Sequence, residues 1–68
     1  MKLKDFEARM QIIKVGDFVT LYIRGNYGTY AEAGNIRKIE NGYVYLEHGF
    51  AHSYKRIISI RLAEVVGE

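Results

Sequence analysis

The sequence predicts a mostly β fold, in which a short N-terminal α-helix is followed by a five-stranded, strongly bent small barrel of the SH3-like kind. Three observations support this fold class. An amphipathic segment opens the chain, short segments of alternating apolar and polar residues follow it, and Gly34 interrupts the second of these segments. Because a glycine inside a strand often marks a bulge or sharp bend, we expect a bent barrel over about residues 15–66, within one domain, 1–68.

The N-terminal segment has the periodicity of an amphipathic helix. Leu3, Phe6, Met10 and Ile13 recur at the spacing of one helix face, with charged residues between them. We therefore expect a helix over about residues 3–11. Its apolar stripe would cover one open end of the barrel.

The first two strands are predicted on either side of a glycine-containing loop. In residues 18–23 the apolar residues at odd positions share one face, which is the period of a strand. Residues 24–29 contain two glycines and favour a hairpin connection longer than two residues. Residues 30–39 form the second strand, in which Ile36 and Ile39 have opposite parity, so a regular strand cannot bury both on one face.

The remaining strands follow a turn at Asn41-Gly42, the dipeptide most typical of a tight hairpin. Residues 43–47 form the third strand, with Val44 and Leu46 directed inward. Residues 48–53 are a loop or a continuation of that strand.

The C-terminal part of the chain predicts two more strands. Residues 54–62 form the fourth, in which Ile58, Ile60 and Leu62 share a face, and residues 63–66 form a short fifth strand.

Charge and composition exclude several classes of function. The chain has 10 Lys and Arg residues against 8 Asp and Glu residues, a net charge of +2, whereas a non-specific DNA-binding protein usually carries more positive charge. It has no cysteine, so it lacks disulfides and the usual thiolate ligands of structural zinc. Charges follow Met1 at once, and no apolar run approaches the roughly 18 residues of a membrane span, so we expect a cytoplasmic protein without a membrane partner.

The small size predicts assembly. A domain of this length buries only about 60% of its unfolded surface and is marginally stable alone. Small domains without cross-links often gain stability by assembling. We therefore expect a homo-oligomer.

Patterns of catalytic or metal-binding residues are missing from the sequence. Ser53 and Ser59 have no acid–base partners at a recognisable spacing, and the carboxylates are scattered singly. His48 and His52 are four residues apart, a spacing that shares a face in a helix, and they lie in a predicted β segment. We predict no enzyme activity, no cofactor and no metal site, and we expect the histidines to form hydrogen bonds at the surface or in a pocket.

The tyrosines suggest a binding surface. Six occur in 68 residues, and several fall on the strand face opposite the aliphatic residues, near lysine and arginine. Aromatic rings beside cations stack on bases while the cations neutralise phosphate. The same tyrosines would equally pack across strands or fill a subunit interface. Composition leaves both interpretations open.

Four segments, taken in order, resemble the Sm-like superfamily and, within it, the Hfq family of bacterial RNA chaperones. Residues 19–23 (VTLYI) resemble the family's first strand, residues 34–36 (GNI) its bent second-strand half, and residues 40–41 (EN) its acidic residue followed by an amide. Residues 54–59 (YKRIIS) resemble the family's Tyr-Lys-His-Ala-Ile-Ser signature and are the most specific of the four. The similarity covers about residues 18–62.

The resemblance implies a homo-oligomeric ring of six or seven subunits, with six favoured, in which the fourth strand of one subunit pairs with the fifth strand of the next. It implies a non-catalytic chaperone or regulator that binds single-stranded RNA, U-rich at the pore-side face. By position, Asn41, Lys55 and Arg56 belong to that face, Tyr43 takes the place of a stacking aromatic, and Tyr22 lies on the opposite face, where purines stack in the family.

Two other functions are consistent with the sequence. A monomeric SH3-like barrel would be a protein-interaction or structural module without RNA binding, using tyrosines to line a peptide groove. A small nucleoid- or ribosome-associated barrel would bind duplex nucleic acid, although the modest net charge argues against it.

Overall fold

The computed structural model describes residues 1–49 and 51–63, and within them the chain forms one helix and five strands. These elements are α1 (Leu3–Met10), β1 (Phe18–Gly25), β2 (Gly28–Glu40), β3 (Tyr43–Leu46), β4 (Ala51–Ser53) and β5 (Ile57–Leu62). The strands pair antiparallel in the order β4-β3-β2-β1-β5. The prediction of a mostly β fold with a short N-terminal helix is confirmed.

The sheet changes direction along β2. The first part of this strand pairs with β1 and the second part with β3. Gly34 lies against Leu46, whose side-chain atoms would be 3.7 Å from a Cβ added at the glycine. Between Ile36 and Lys38 the register shifts, so Arg37 is an extra residue that reverses the parity of the strand. The predicted irregularity is confirmed, and the bulge follows Gly34 by three residues.

The apolar side chains of one face of this sheet, here called the inner face, form the core together with Phe6 of α1 and Ile13 of the α1–β1 connection. The buried residues of the core are Phe6, Ile13, Val19, Leu21, Ile23, Ile36, Val44, Leu46, Ile57 and Ile60. In β1 burial alternates as predicted, because odd positions point inward.

Helix α1 packs against the C-terminal part of the sheet. The rings of Phe6 and Tyr54 have centroids 5.6 Å apart, and the guanidinium of Arg9 donates to the carbonyl of Ile60. The N-terminal amine of Met1 donates to the carbonyl of Ile57 at 2.6 Å. The helix ends one residue earlier than predicted. Among the described residues, no helix is long and apolar enough to cross a membrane.

Both early turns are two-residue hairpin turns. Asn41 and Gly42 have φ angles of 53° and 79°, the pair of positive values that a type I′ turn requires, so this turn is confirmed. The prediction of a longer first loop is wrong, because the β1–β2 pairing continues to Gly25 and Gly28 and leaves two residues between them. Gly25 is needed inside the strand, since an added Cβ would lie 3.0 Å from the Tyr30 ring.

The C-terminal strands differ from their prediction. The predicted fourth strand over residues 54–62 is wrong in its first part, because residues 54–56 form a turn between β4 and β5. The segment at 48–53 contains β4, so the strand that ends at Leu62 is the fifth. Of the predicted short strand at 63–66, Ala63 lies outside any strand, and residues 64–66 lie outside the described part of the chain.

The residues of β5 that face inward also differ from the prediction. We expected Ile58, Ile60 and Leu62 to share a buried face, whereas Ile57 and Ile60 are buried and Ile58 is 43% exposed. The cause is a register shift in the β1–β5 pairing, which makes Ile58 an extra residue. A bulge thus places an apolar side chain on the outside of an edge strand.

Candidate nucleic-acid interface

Two turns are joined at one end of the sheet. The backbone N–H of Tyr54, in the β4–β5 turn, donates to the carbonyl of Gly42, in the β2–β3 turn, at 2.8 Å. The Tyr54 ring lies directly beside Gly42, where an added Cβ would be only 2.8 Å from a ring carbon. The glycine therefore provides both the positive φ of the turn and the space for the ring.

The polar and aromatic residues at these joined turns form what we call the turn surface: Asn41, Tyr43, Lys55 and Arg56. Asn41 belongs to the β2–β3 turn and Tyr43 follows it directly, while Lys55 and Arg56 belong to the β4–β5 turn. All four side chains are exposed. The structure thus brings four of the five predicted binding residues to one end of the sheet, and their binding role stays a prediction.

Local hydrogen bonds hold the β4–β5 turn. The Oγ of Ser53 accepts from the N–H of Lys55 at 3.2 Å, and the carbonyl of Ser53 accepts from the N–H of Arg56 at 2.9 Å. Serine hydroxyls commonly close turns in this way. Ser53 therefore has a structural role, and the turn presents two adjacent cations to solvent.

Arg56 links the turn surface to the β1–β2 hairpin. Its carbonyl accepts from the N–H of Arg24 at 2.8 Å, and its Nη2 donates to Oδ1 of Asn26 at 3.4 Å. The hairpin and Arg56 line a cavity of about 400 Å³, next to the fully exposed ring of Tyr27.

Tyr22 lies apart from the turn surface. Its half-buried side chain is on β1 and lines a different cavity of about 360 Å³. Thr20, Arg61, Leu62 and Ala63 complete the lining. The fifth predicted residue is therefore not brought together with the other four.

Two other cationic side chains contact an aromatic ring of the sheet. Cζ of Arg37 and Nζ of Lys38 each lie 5.5 Å from the centroid of the half-buried Tyr45 ring. Nζ of Lys38 also lies 2.6 Å from Oε1 of Glu40. This hydrogen bond and the attraction of the opposite charges raise the pKa of Lys38. Tyr45 thus packs against cations of its own chain, as a structural residue does.

Sequence reasoning missed a polar cavity of about 380 Å³ that borders the turn surface. Its walls include Tyr30, Glu32, Tyr43, His52 and Arg56. We expected the histidines to form hydrogen bonds at the surface or in a pocket. His48 is exposed and His52 lines this cavity. The expected hydrogen bond is not found at Nε2 of His52 within the described residues. The signal that could have revealed it is the alternation of faces along a strand. Residues 30 and 32 lie two and four positions before the inward position 34, so they share the face of positions 34 and 36.

His52 is a buried imidazole. It is 8% exposed, and its Nε2 has no hydrogen-bond partner among the described residues. Burial lowers the pKa of His52 below its ordinary value, and the negative charge of Glu32 partly opposes this effect. Burial therefore favours the neutral form of the ring.

Among residues 1–49 and 51–63, no three His, Asp or Glu side chains converge so that they could hold a metal ion. Comparisons of the chain with protein-family models, with curated proteins and with solved structures found no significant match. The assignment of a function therefore depends on the geometry of these sites.

Proposed function

We propose that this protein binds single-stranded RNA at the turn surface and acts without catalysis as a cytoplasmic RNA chaperone or regulator. One observation carries the proposal: the Tyr54–Gly42 hydrogen bond joins two turns and leaves Asn41, Tyr43, Lys55 and Arg56 exposed at the same end of the sheet. A binding surface needs several weak contacts in one place, and the joined turns supply them.

The chemistry of these four side chains fits an unpaired strand. Lys55 and Arg56 would neutralise phosphates and donate to base edges, and the Asn41 amide would donate to and accept from a base edge. The 43% exposed ring of Tyr43 would stack on a base. Duplex RNA hides base faces that stacking requires, so single strands are the better ligand, and U-rich strands are those that the family resemblance implies.

We further propose that the bent sheet is an SH3-like barrel of the Sm-like type and assembles into a ring of six or seven copies. Within the described residues β4 and β5 are the two edges of the sheet, each paired on one side. An unpaired edge is a template for another strand, and Ile58 and Leu62 expose apolar surface on β5. Pairing of β4 in one copy with β5 in the next would cover both edges.

A ring also strengthens a weak site. With a net charge of +2, one chain attracts RNA only modestly. Repeating the turn surface around a ring raises the effective concentration of sites for one strand and so increases the overall affinity. Tyr22, in its separate cavity, would contribute to a second RNA-binding face on the opposite side.

Fluorescence anisotropy with labelled oligo-U tests the turn surface. The double variant Lys55→Ala/Arg56→Ala should bind roughly tenfold more weakly, with a flatter salt dependence, because two phosphate contacts are lost. The matched control is Lys4→Ala/Lys14→Ala, which removes the same charge from exposed positions outside both turns. Equal affinity of the two double variants would refute the turn surface as the RNA site.

Light scattering tests the ring. A mass of six or seven times the 7.9 kDa of one chain is expected. Ile58→Lys, which places a charge on the outer side of edge strand β5, should lower that mass. A stable wild-type monomer would contradict the ring and favour the protein-interaction barrel instead.

A further inference from the structure

The inner face of the sheet is interrupted by polar residues at one end. Residues paired across antiparallel strands project from the same face. Tyr30 pairs with the buried Ile23, and Glu32 pairs with the buried Leu21, so both belong to the inner face. His52 joins them because it pairs with the buried Val44.

His52 shows that this polar end is not a well-packed core. A buried nitrogen without a hydrogen bond destabilises a folded protein by about 1–3 kcal/mol. The Nε2 of His52 is such a nitrogen within the described residues. An unpaired buried group of this kind requires an explanation, such as a functional role of the residue or an ordered water or ion.

The cavity beside His52 has the size and composition of a ligand site. Its volume of about 380 Å³ is within the range of small-molecule pockets. It combines a carboxylate from Glu32, the neutral imidazole of His52, the Arg56 guanidinium and the partly exposed rings of Tyr30 and Tyr43. The cavity therefore offers an anionic acceptor, cationic and neutral donors, and aromatic surface.

Gly49, in the β3–β4 connection, lies next to the Glu32 carboxylate. A Cβ added at Gly49 would lie 3.4 Å from Oε1 of Glu32, and Gly49 has a φ of 99°. A larger residue at this position would be strained by that φ.

We propose that this cavity binds a guanine base. The Glu32 carboxylate would accept from guanine N1–H and from its amino group, and the Arg56 guanidinium would donate to O6 and N7, while His52 forms part of the cavity wall. Tyr30 and Tyr43 would contact the faces of the ring. The inference deepens the proposed function, because the cavity borders the turn surface and the guanine would belong to the bound RNA.

Guanine fits this set better than the other bases. It alone presents two adjacent donors on one edge together with the acceptor pair O6 and N7, which suits a carboxylate and a guanidinium. Uracil has one donor between two acceptors, and adenine and cytosine each present a single amino group beside an acceptor. The unmatched polar atoms of those bases would leave Glu32 or Arg56 without a partner.

The test compares labelled U6 with the same hexamer carrying one central guanosine. In the wild type the guanosine should raise the affinity about tenfold, as expected for a well-formed bidentate base contact. Glu32→Gln should abolish that gain, because the amide turns a donor toward guanine, while U6 binding is unchanged. Glu47→Gln, an exposed carboxylate outside the cavity, is the control and should keep the gain.

Free guanosine monophosphate separates failure of this inference from failure of the proposed function. Calorimetry should show saturable binding to the wild type, none to Glu32→Gln and none with uridine monophosphate. That result supports the cavity even if U6 does not bind, and it then assigns the ligand to the free nucleotide. No gain from the guanosine in RNA, together with no binding of the nucleotide, would overturn the inference, as would a gain that persists in Glu32→Gln.

Discussion

The two ends of the inner face are built from different residues. At one end, Val19 and Ile36 are buried aliphatic side chains of the core cluster, to which Phe6 of α1 also belongs. At the other end, Tyr30, Glu32 and His52 face a cavity that borders the turn surface. The comparison indicates that the apolar residues stabilise the fold, and we propose that the polar end gives up stability for binding.

The largest expected effect is in the apolar core. Leu21→Ala removes a fully buried side chain from the centre of the sheet and should lower the free energy of unfolding by about 2–5 kcal/mol. Chemical denaturation measures this loss. Leu3→Ala, at an exposed position of α1, is the control and should cost less than about 1 kcal/mol. Equal losses would mean that the inner face does not carry the stability.

A smaller loss is expected where the joined turns support the polar end. Gly42→Ala adds the strain of a positive φ, about 1–2 kcal/mol, and also displaces the Tyr54 ring. Gly16→Ala is a matched control, because Gly16 has a φ of 99° and open space around it. Thermal unfolding should rank Gly42→Ala as the less stable variant, and only that variant should also lose oligo-U affinity.

Inside the cavity, a substitution is expected to raise the free energy of unfolding. His52→Leu removes a buried nitrogen that has no partner in the described chain, and should raise the free energy of unfolding by about 1 kcal/mol. His48→Leu, at an exposed position, should leave the free energy of unfolding unchanged. If His52→Leu instead unfolds more easily than the wild type, His52 contributes to stability as the residues of the apolar core do.

The smallest effect is a pH dependence. Because burial lowers the pKa of His52, the unfolded chain takes up this proton first as the pH falls below 6.5. Stability should therefore be complete above pH 6.5 and decline through the folded-state pKa, by at most about 1.4 kcal/mol per pH unit. Glu32 and Arg56 line the same cavity, and Glu32 opposes the shift. Denaturation at pH 7.5 and 5.5 should show the decline in the wild type, and a weaker one in His52→Leu.

Local signals explain what could be predicted from the sequence. The helix, the alternation in β1 and the Asn41-Gly42 turn each depend on residues close together in the chain, and each is found. The resemblance at residues 54–59 singled out Lys55 and Arg56, which the structure brings to the turn surface. A local sequence motif was therefore sufficient to identify these two residues.

The rest depends on pairing between distant segments. Strand β4 has three residues, fewer than two full periods, so no alternation marks it. The bulge at Ile58 reverses the parity of β5 in a way that its own residues do not indicate. The cavity was missed for the same reason, since Glu32 and His52 meet only when the registers of β1 through β4 are known.

The central claim is that the polar end of the inner face exists to bind a base. The most direct measurement follows the side-chain nitrogen resonances of His52 by NMR while guanosine monophosphate is added. These resonances should shift saturably in the wild type, because the His52 ring borders the occupied cavity, and should stay unchanged in Glu32→Gln. Ring resonances that do not respond to the nucleotide in the wild type would contradict the account.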